Sequence, residues 1–436
     1  MGRDLTRGHF CAIISIMDKF RVLSDLHIDI NEKFPFSIDD TSIFTVVAGD
    51  TCGHPYVISA KCSNSHVGIK IENSLKAGRF FGKAKRATVV YNAAKDEWTY
   101  KGKPIPDDAI SMSINGVWTS DFSKKENEKP IPDGEKVIFH VTNIEKWLRD
   151  NIDNGILIAG NHLVYNRNGM SIEELKRNLG ATFPSYSNIT FLDQSIGVMT
   201  KEVDGILFVG STLYTDYKLP IRGTKNVSEA KTIEYNKRIA TPKMSGGGLN
   251  DFNWGKTEEA TYNKAWIFEG DSDLSYLTPN NYERFFHRTF DAIKKIVEEN
   301  PDKEIVVVTH HCPSTKCISA EYIGSDLNSS YVSDLDDFIL SHPNIKCWIC
   351  GHVHHRASFK IGGCLVVMNP LGYCKYGEYL SSHDGVSGEW TPNTFVNTKT
   401  WELEKEAVDL TKWGKRREKY EKEREKWYRK YGGFFF

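Results

Sequence analysis

Five short apolar runs in this sequence each end in a cluster of polar residues that can bind metal ions, and this recurrence limits the fold more than any other feature. The runs and their clusters are Phe20–Leu23 with Ser24–His27, Ile43–Ala48 with Gly49–Asp50, Ile156–Ala159 with Gly160–His162, Ile305–Val308 with Thr309–His311, and Ile345–Cys350 with Gly351–His355. Continuous Val, Ile and Leu runs are typical of buried strands, and sites in α/β folds gather beyond the carboxyl ends of strands. Five such strand ends therefore predict one shared site.

The histidines support a single site because they concentrate in these clusters. Half of the fourteen histidines fall in four of the five clusters, namely His27, His162, His310, His311, His352, His354 and His355. Histidines scattered over a protein surface would not concentrate in this way. The pattern favours imidazole ligands or catalytic groups that meet at one place in the fold.

The composition limits the class of protein. The chain has 436 residues, and 40% are hydrophobic, which is enough to bury a sizeable core and excludes a wholly disordered protein. The 56 basic and 57 acidic residues balance, which argues against a protein that coats nucleic acid. No apolar run approaches the roughly 18 residues of a membrane-spanning helix, so we expect no membrane association.

The nine cysteines are scattered and odd in number, which is typical of a reducing compartment and not of a secreted disulfide scaffold. We therefore expect a cytoplasmic protein. Cys347 and Cys350 form a C-x-x-C pair, a pattern that also occurs in redox and zinc sites. They lie in a predicted buried strand, where positions three apart point to opposite faces, so two core side chains are the favoured interpretation.

The chain is longer than one catalytic unit needs, and the surplus lies in one segment. From Asp50 to Asn161 the sequence runs 111 residues (161 − 50), where a strand–helix–strand crossover needs about 30. Alternating apolar residues with glycine and proline predict a β-rich subdomain there. We predict a catalytic domain at 17–54 and 137–400, an inserted β-rich subdomain at 55–136 and a charged C-terminal helix and tail at 401–436. We interpret residues 1–16 as a dispensable leader.

Apolar residues at helical spacing predict helices at 141–151 and 281–299, and apolar runs predict strands at 205–209 and 364–368. The end of the chain also predicts a helix, at 411–431, with ten basic and four acidic residues between 412 and 430. Its aromatic residues recur every seventh position, which predicts docking on the protein itself or on a second copy. The helix and the insertion are therefore the expected surfaces for any homo-oligomer.

Seven of the clustered residues are the candidate metal ligands: Asp25, His27, Asp50, Asn161, His310, His352 and His354. Asp25 and His27 lie two positions apart and can chelate one ion, and Asp50 offers a carboxylate that can bridge two. Carboxylate, amide and imidazole together suit divalent manganese, iron, zinc, cobalt or nickel better than an all-oxygen calcium site. Seven ligands are too many for one tetrahedral ion and suit a pair of ions.

In this order, the motifs resemble those of the calcineurin-like metallophosphoesterases. The resemblance runs from about residue 20 to 373 without the insertion, and it rests on Asp25-x-His27, Gly49-Asp50, Gly160-Asn161-His162, His310 and Gly351-His352-x-His354. Each motif alone is weak, whereas five in the family's order, each after a predicted strand, are specific. Further stretches are similar to a bacterial and phage subgroup of unassigned phosphohydrolases: GSTLYTD at 210–216, LNDFN at 249–253, THHCPS at 309–314, SDLD at 333–336 and MNPLGY at 368–373.

The resemblance implies a four-layer αββα sandwich with a dinuclear metal site at one edge, and manganese is the ion expected first. Carried over by position, Asp25, His27, Asp50 and His354 would hold the first ion. Asp50, Asn161, His310 and His352 would hold the second. His162 would be the catalytic residue, facing the phosphoryl oxygen or the leaving group.

Two positions depart from the family's pattern. Leu163 stands where an acidic residue often follows Gly-Asn-His, so the orientation of His162 has to depend on another group. Gly53 stands three residues after Asp50, where the family often has Asp or Asn. The arginine that follows this point in Ser/Thr protein phosphatases is absent, which argues against phosphoprotein as the substrate.

The resemblance implies a phosphohydrolase that cleaves a phosphodiester or nucleotide-type ester by metal-activated hydroxide. His162, as an imidazolium, would stabilise developing charge or protonate the leaving oxygen. His311, His355 and His54 are candidates for substrate contact. Two other functions stay open. The same core can serve a nuclease or RNA-processing phosphodiesterase, and it can serve a catalytically silent protein-binding scaffold, although every ligand position here is filled.

Overall fold

The computed structural model has a mixed α/β fold. It describes residues 17–28, 30–31, 36, 38–51, 147–148, 151–165, 171–173, 175–177, 179–180, 188–243, 247–258, 275–380, 390–406 and 414–431, together with the backbone of eight strands between 56 and 141. The predicted leader at 1–16 lies outside the described residues, as does His54. The division of the chain into domains stays a prediction.

The first sheet has six strands in the order β12-β11-β2-β1-β21-β22. The first four in this order are mutually parallel, and the last two join antiparallel. The strands are β1 (Lys19–Leu23), β2 (Thr45–Ala48), β11 (Asn154–Ile158), β12 (Asn188–Leu192), β21 (Thr394–Asn397) and β22 (Glu402–Lys405). Three of the five apolar runs of the sequence are thus adjacent parallel strands. Asp25, Asp50 and Asn161 follow the ends of these strands.

The second sheet repeats this plan with the order β13-β14-β17-β18-β20-β19. Its four inner strands are parallel and its two edge strands antiparallel. The strands are β13 (Thr200–Val203), β14 (Ile206–Ser211), β17 (Glu304–Thr309), β18 (Ile345–Cys350), β19 (Ala357–Ile361) and β20 (Cys364–Met368). The other two apolar runs are β17 and β18, so all five predicted strands are confirmed, as are those at 205–209 and 364–368.

Eight strands between Tyr56 and Val141 form an antiparallel sheet of their own, in the order β7-β6-β5-β4-β3-β10-β8-β9. They are β3 (Tyr56–Ser63), β4 (His66–Glu72), β5 (Arg86–Asn92), β6 (Glu97–Tyr100), β7 (Lys103–Pro104), β8 (Ile110–Ile114), β9 (Val117–Thr119) and β10 (Lys136–Val141). Because β10 pairs with β3 and β8, this sheet extends past the predicted boundary at residue 136. A further hairpin joins β15 (Lys256–Thr257) and β16 (Ser275–Tyr276).

The described helices are α1 (Glu229–Ala240), α2 (Asp251–Trp254), α3 (Pro279–Glu299), α4 (Asp336–Ser341) and α5 (Gly414–Tyr431). Helix α3 confirms the prediction at 281–299. It begins with a capping box, in which Thr278 and Asn281 bond each other's backbone, and with proline at its first turn. The helix predicted at 141–151 began too early, because Val141 is the last residue of β10; residues 147–148 and 151 are described and helical. None of the helices in the described part of the chain combines the length and hydrophobicity needed to cross a bilayer.

Three apolar clusters fill the space around the two sheets, because successive side chains of a strand point to opposite faces. The inter-sheet cluster takes Val306 and Val308 from β17, together with Val46 and Ala48 from β2. The first outer cluster packs the other face of the first sheet against Leu148 and Leu175 and is joined by Tyr420 of α5. The second outer cluster packs the other face of the second sheet against Phe285 and Phe286 of α3.

The same alternation separates the C-x-x-C pair. Cys347 belongs to the inter-sheet cluster and Cys350 to the second outer cluster, which confirms that the two side chains face opposite ways. These residues therefore do not form a C-x-x-C site with each other.

Candidate metal centre

The polar clusters of both sheets meet at the edge where the parallel strands end. Hydrogen bonds tie the loops together across this edge: Gly372 N donates to Asp25 O at 3.0 Å, and Gly351 N donates to His310 O at 3.0 Å. The His310 Nδ1 atom, beyond a strand of the second sheet, lies 3.0 Å from Ala48 O at the end of β2 in the first. The loops of both sheets are thus held in one place.

Five of the predicted ligand residues have left-handed backbone conformations. The φ angles are 49° for Asp25, 42° for His27, 46° for Asp50, 70° for His352 and 48° for His354. Such conformations cost on the order of 1–3 kcal/mol each for residues other than glycine, and they persist only where neighbouring contacts impose them. Here Asp25 N donates to Gly49 O at 3.1 Å and His27 N to Asp50 O at 2.9 Å. These backbone conformations lower the stability of the fold, and they orient the five side chains toward the site.

Asp25, His27 and His354 form a first trio whose ligand atoms all lie within 4.8 Å of one another. His27 Nε2 is 3.0 Å from His354 Nε2, and His354 Nε2 is 3.6 Å from Asp25 Oδ1. Burial, together with the neighbouring imidazoles, holds the pKa of His27 well below its usual value. His27 is therefore a neutral imidazole, the form that binds metals.

Asp50, His310 and His352 form a second trio, whose ligand atoms also lie within 4.8 Å of one another. Asp50 Oδ2 lies 3.3 Å from His310 Nε2, and the same oxygen lies 3.9 Å from His27 Nε2. Burial holds the pKa of His352 well below its usual value, so this imidazole is also neutral. Asp50 thus belongs to the second trio and also lies close to His27 of the first.

Asn161 joins the second trio in a way that suits a cation. Asn161 Nδ2 donates to Asp251 at 3.1 Å, so the amide oxygen is the atom that faces His310 Nε2 at 2.9 Å. If His310 Nδ1–H donates to Ala48 O, its Nε2 carries a lone pair, and two acceptors face each other. A proton relieves this conflict in the metal-free protein. Although burial opposes it, the Asp50 carboxylate raises the pKa of His310 to about 9. A divalent ion would replace that proton.

Buried polar atoms in both trios lack a hydrogen-bond partner, which is a second sign that a cation fits. Within the described residues, these atoms include Asp25 Oδ2 and His352 Nε2. Leaving such a group buried and unsatisfied costs about 1–3 kcal/mol, and more when it is charged. The donor set, two carboxylates, one amide oxygen and four imidazoles, matches divalent transition metals.

The glycines of three motifs allow the candidate ligand side chains to lie against the backbone of neighbouring loops. A Cβ at Gly160 would collide with Asp50 Oδ1 and with the Asp50 backbone nitrogen, and one at Gly351 would collide with Asp25 Oδ2. At Gly49, whose φ is 83°, a Cβ would collide with the His310 ring. The glycines of Gly-Asp, Gly-Asn-His and Gly-His-x-His therefore make room for the ligand side chains.

Two carboxylates outside the predicted set orient the ligands. Glu378 Oε2 lies 2.8 Å from His354 Nδ1 and so turns His354 Nε2 toward the first trio. Asp251 accepts from Asn161 and also from the Tyr282 hydroxyl at 2.8 Å. Carboxylates in such positions fix the orientation of metal ligands and raise the basicity of imidazoles. The LNDFN stretch pointed to the region of Asp251, but nothing in the sequence singled out Glu378.

His162 is more exposed than most of the predicted ligands, with 13% of its side chain accessible, and it faces the space beside Asp50. Its backbone N donates to Asp50 Oδ1 at 3.0 Å, and its Nε2 lies 3.1 Å from the Tyr373 hydroxyl. Leu163 packs in the first outer cluster, so no carboxylate reaches His162 from that position. Tyr373, within the MNPLGY stretch, thus provides a hydrogen-bond partner for the His162 ring.

The three candidates for substrate contact differ in their surroundings. His311 is fully buried, its ring lies 4.3 Å from that of His352, and burial lowers its pKa to about 3. His355 is 4% exposed. His54 lies outside the described residues. Substrate contact by these three residues stays a prediction, and for His311 it would require neighbouring side chains to move.

No protein-family model matches this sequence, and no curated protein matches it. Among solved structures, a phosphopantetheinyl hydrolase from Mycobacterium tuberculosis is similar, with 12% sequence identity and a TM-score of 0.43. The match covers 82% of this chain and 91% of that chain. A TM-score this low carries no argument about fold or function.

Replacing Gly160 with alanine should push the Asp50 carboxylate out of place, because the new Cβ collides with it. Overpacking of this kind costs about 1–3 kcal/mol of unfolding free energy. We also expect added Mn²⁺ to raise the melting temperature of the wild type and not that of the variant. Gly363→Ala is the matched control, since a Cβ there meets nothing within 4 Å. An unchanged Mn²⁺ response in Gly160→Ala would contradict the described role of this glycine.

Proposed function

We propose that this protein is a dinuclear-metal-dependent phosphohydrolase of the calcineurin-like metallophosphoesterase type, with its sheets and helices in a four-layer αββα arrangement. The observation that carries the proposal is the pair of neighbouring trios: Asp50 belongs to the second and lies 3.9 Å from His27 of the first, and Asn161 adjoins the second. Two neighbouring ligand groups with one carboxylate close to both suit two neighbouring ions better than one. The inter-sheet cluster and the two outer clusters support the layered arrangement.

The residues that would hold the first ion are Asp25, His27, Asp50 and His354, and those for the second are Asp50, Asn161, His310 and His352. When bound, the two ions would neutralise the phosphoryl group and supply an ionised water at neutral pH. Manganese is our first choice, with iron, zinc, cobalt and nickel as alternatives. Glu378 and Asp251 would keep His354 and Asn161 in the orientation that ligation requires.

His162 would act on the leaving group. Its backbone bond to Asp50 places it beside the shared carboxylate, and its partly exposed ring can reach a bound phosphoester. As an imidazolium, it would give its proton to the departing oxygen when the bond to phosphorus breaks. The Tyr373 hydroxyl would hold the ring in the direction this transfer needs.

We propose a phosphodiester or a nucleotide-type ester as the substrate. The support is the proton donor, His162, beside the edge where the candidate metal ligands meet. A proton donor helps most when the leaving oxygen is strongly basic and leaves poorly without a proton, as in an alkyl or nucleotide ester. The balanced total charge favours a small substrate over a long polyanion.

Hydrolysis of bis-p-nitrophenyl phosphate by the full chain with added Mn²⁺ tests the proposal. Asp50→Asn should nearly abolish turnover, because it weakens both ion sites at once. His162→Asn should lower kcat by about 100-fold or more while metal content stays near two equivalents.

The exposed His287 provides the control, and His287→Asn should leave kcat unchanged. Full activity in Asp50→Asn, or in protein freed of metal, would refute the proposal, and parallel assays with oligonucleotides would reveal a nuclease.

Replacing Tyr373 with phenylalanine should lower kcat by about tenfold, as expected for the loss of one orienting hydrogen bond of about 1.4 kcal/mol. KM and metal content should stay near wild-type values. The loss should be larger for a diester with an alkyl leaving group than for a nitrophenyl ester, because only the poor leaving group needs the proton. Tyr376→Phe, at a ring 6.1 Å away, serves as the control. Equal losses for both leaving groups would contradict the role of Tyr373 in orienting His162.

A further inference from the structure

Three cysteines that are distant in the sequence meet behind the candidate metal centre. Cys312 follows β17, Cys317 ends a 3-10 helix (Thr315–Cys317), and Cys350 is the last residue of β18. Their sulfur atoms all lie within 4.8 Å of one another, and all three side chains are fully buried. The Met368 thioether adds a fourth sulfur, 3.6 Å from Cys312 Sγ.

The surroundings of this sulfur cluster are apolar. All four residues belong to the second outer cluster, and the trio of cysteines shares no member with the three groups of histidine and aspartate around Asp25 and Asp50. The Cys312 thiol can donate to Gly351 O at 3.2 Å. A site built from thiols and a thioether, with no carboxylate in the group, excludes the hard ions and selects soft ones.

The geometry is close to that of a thiolate site. Three sulfurs bound to one ion at about 2.3 Å stand roughly 3.7–4.0 Å apart. The described sulfurs lie within 4.8 Å of one another, so ligation needs them to approach by about 1 Å or less. Thiols this close can also hydrogen-bond one another, and a bound ion would replace those contacts with metal–sulfur bonds.

We propose that Cys312, Cys317 and Cys350, with Met368 beside them, form a second and separate metal site that binds one thiophilic d10 ion such as Zn²⁺ or Cu⁺. On binding, each S–H bond breaks, its proton passes to solvent and a metal–sulfur bond forms, with no change in oxidation state. The site is independent of the proposed hydrolase activity, because none of its residues contributes to that centre.

The test uses Cd²⁺ as a d10 probe on the full chain, after chelator treatment and reduction with a phosphine. Thiolate ligands give cadmium a charge-transfer absorption in the ultraviolet, which imidazole and carboxylate ligands do not give. We expect this absorption to saturate at one equivalent. It should be lost in Cys350→Ser and in Cys317→Ser.

Cys347→Ser is the matched control, because Cys347 lies on the same strand but faces the inter-sheet cluster. This variant should keep the full absorption. Absence of the band in the wild type, or its persistence in both Cys350→Ser and Cys317→Ser, would overturn the proposal. If one variant fails to fold, as judged by circular dichroism, the other decides. If both fail, X-ray absorption of the cadmium-loaded wild type decides, since three sulfur neighbours support the site and only nitrogen or oxygen neighbours refute it.

Discussion

The Asp50 carboxylate is the group on which the rest of the candidate centre depends. One of its oxygens faces His310 and His27, and the other accepts the backbone N–H of His162. Burial opposes its ionisation, yet the surrounding imidazoles hold its pKa well below the usual value. It therefore stays a fully buried anion between two groups of imidazoles. Such a charge is costly unless cations or protons compensate it, and this requirement explains why so many histidines surround one aspartate.

The fold supplies this arrangement by packing two similar sheets face to face, with the loops after their parallel strands at the same edge. Parallel strands bring their carboxyl ends to one side, so the loops after β1, β2 and β11 meet those after β17 and β18. The backbone then has to turn sharply at the candidate ligands, and five of these residues adopt left-handed φ angles. Three glycines leave room for the side chains, because they carry no Cβ. The inter-sheet cluster resists relaxation of this strain, because moving one loop would disturb close packing between the sheets.

The strand ends and their clustered side chains could be predicted because buried parallel strands leave a simple signature, an apolar run followed by polar residues. The partners of those side chains could not. Glu378 and Tyr373 lie in irregular loops with no periodicity, and their contacts depend on chain paths that only tertiary packing sets. Strand alternation likewise could not tell which sheet β10 joins. Strand alternation correctly predicted that Cys350 and Cys347 lie on opposite faces of the sheet. It could not predict that Cys350 lies beside Cys312 and Cys317, which are more than thirty positions away in the sequence.

The central claim is that two ions sit on either side of Asp50. Crystals of the full chain grown with Mn²⁺, with data collected at the manganese absorption edge, test this claim most directly. The account predicts two anomalous peaks about 3.5–4 Å apart, with the Asp50 carboxylate touching both. A single peak, or peaks that Asp50 does not touch, would contradict it.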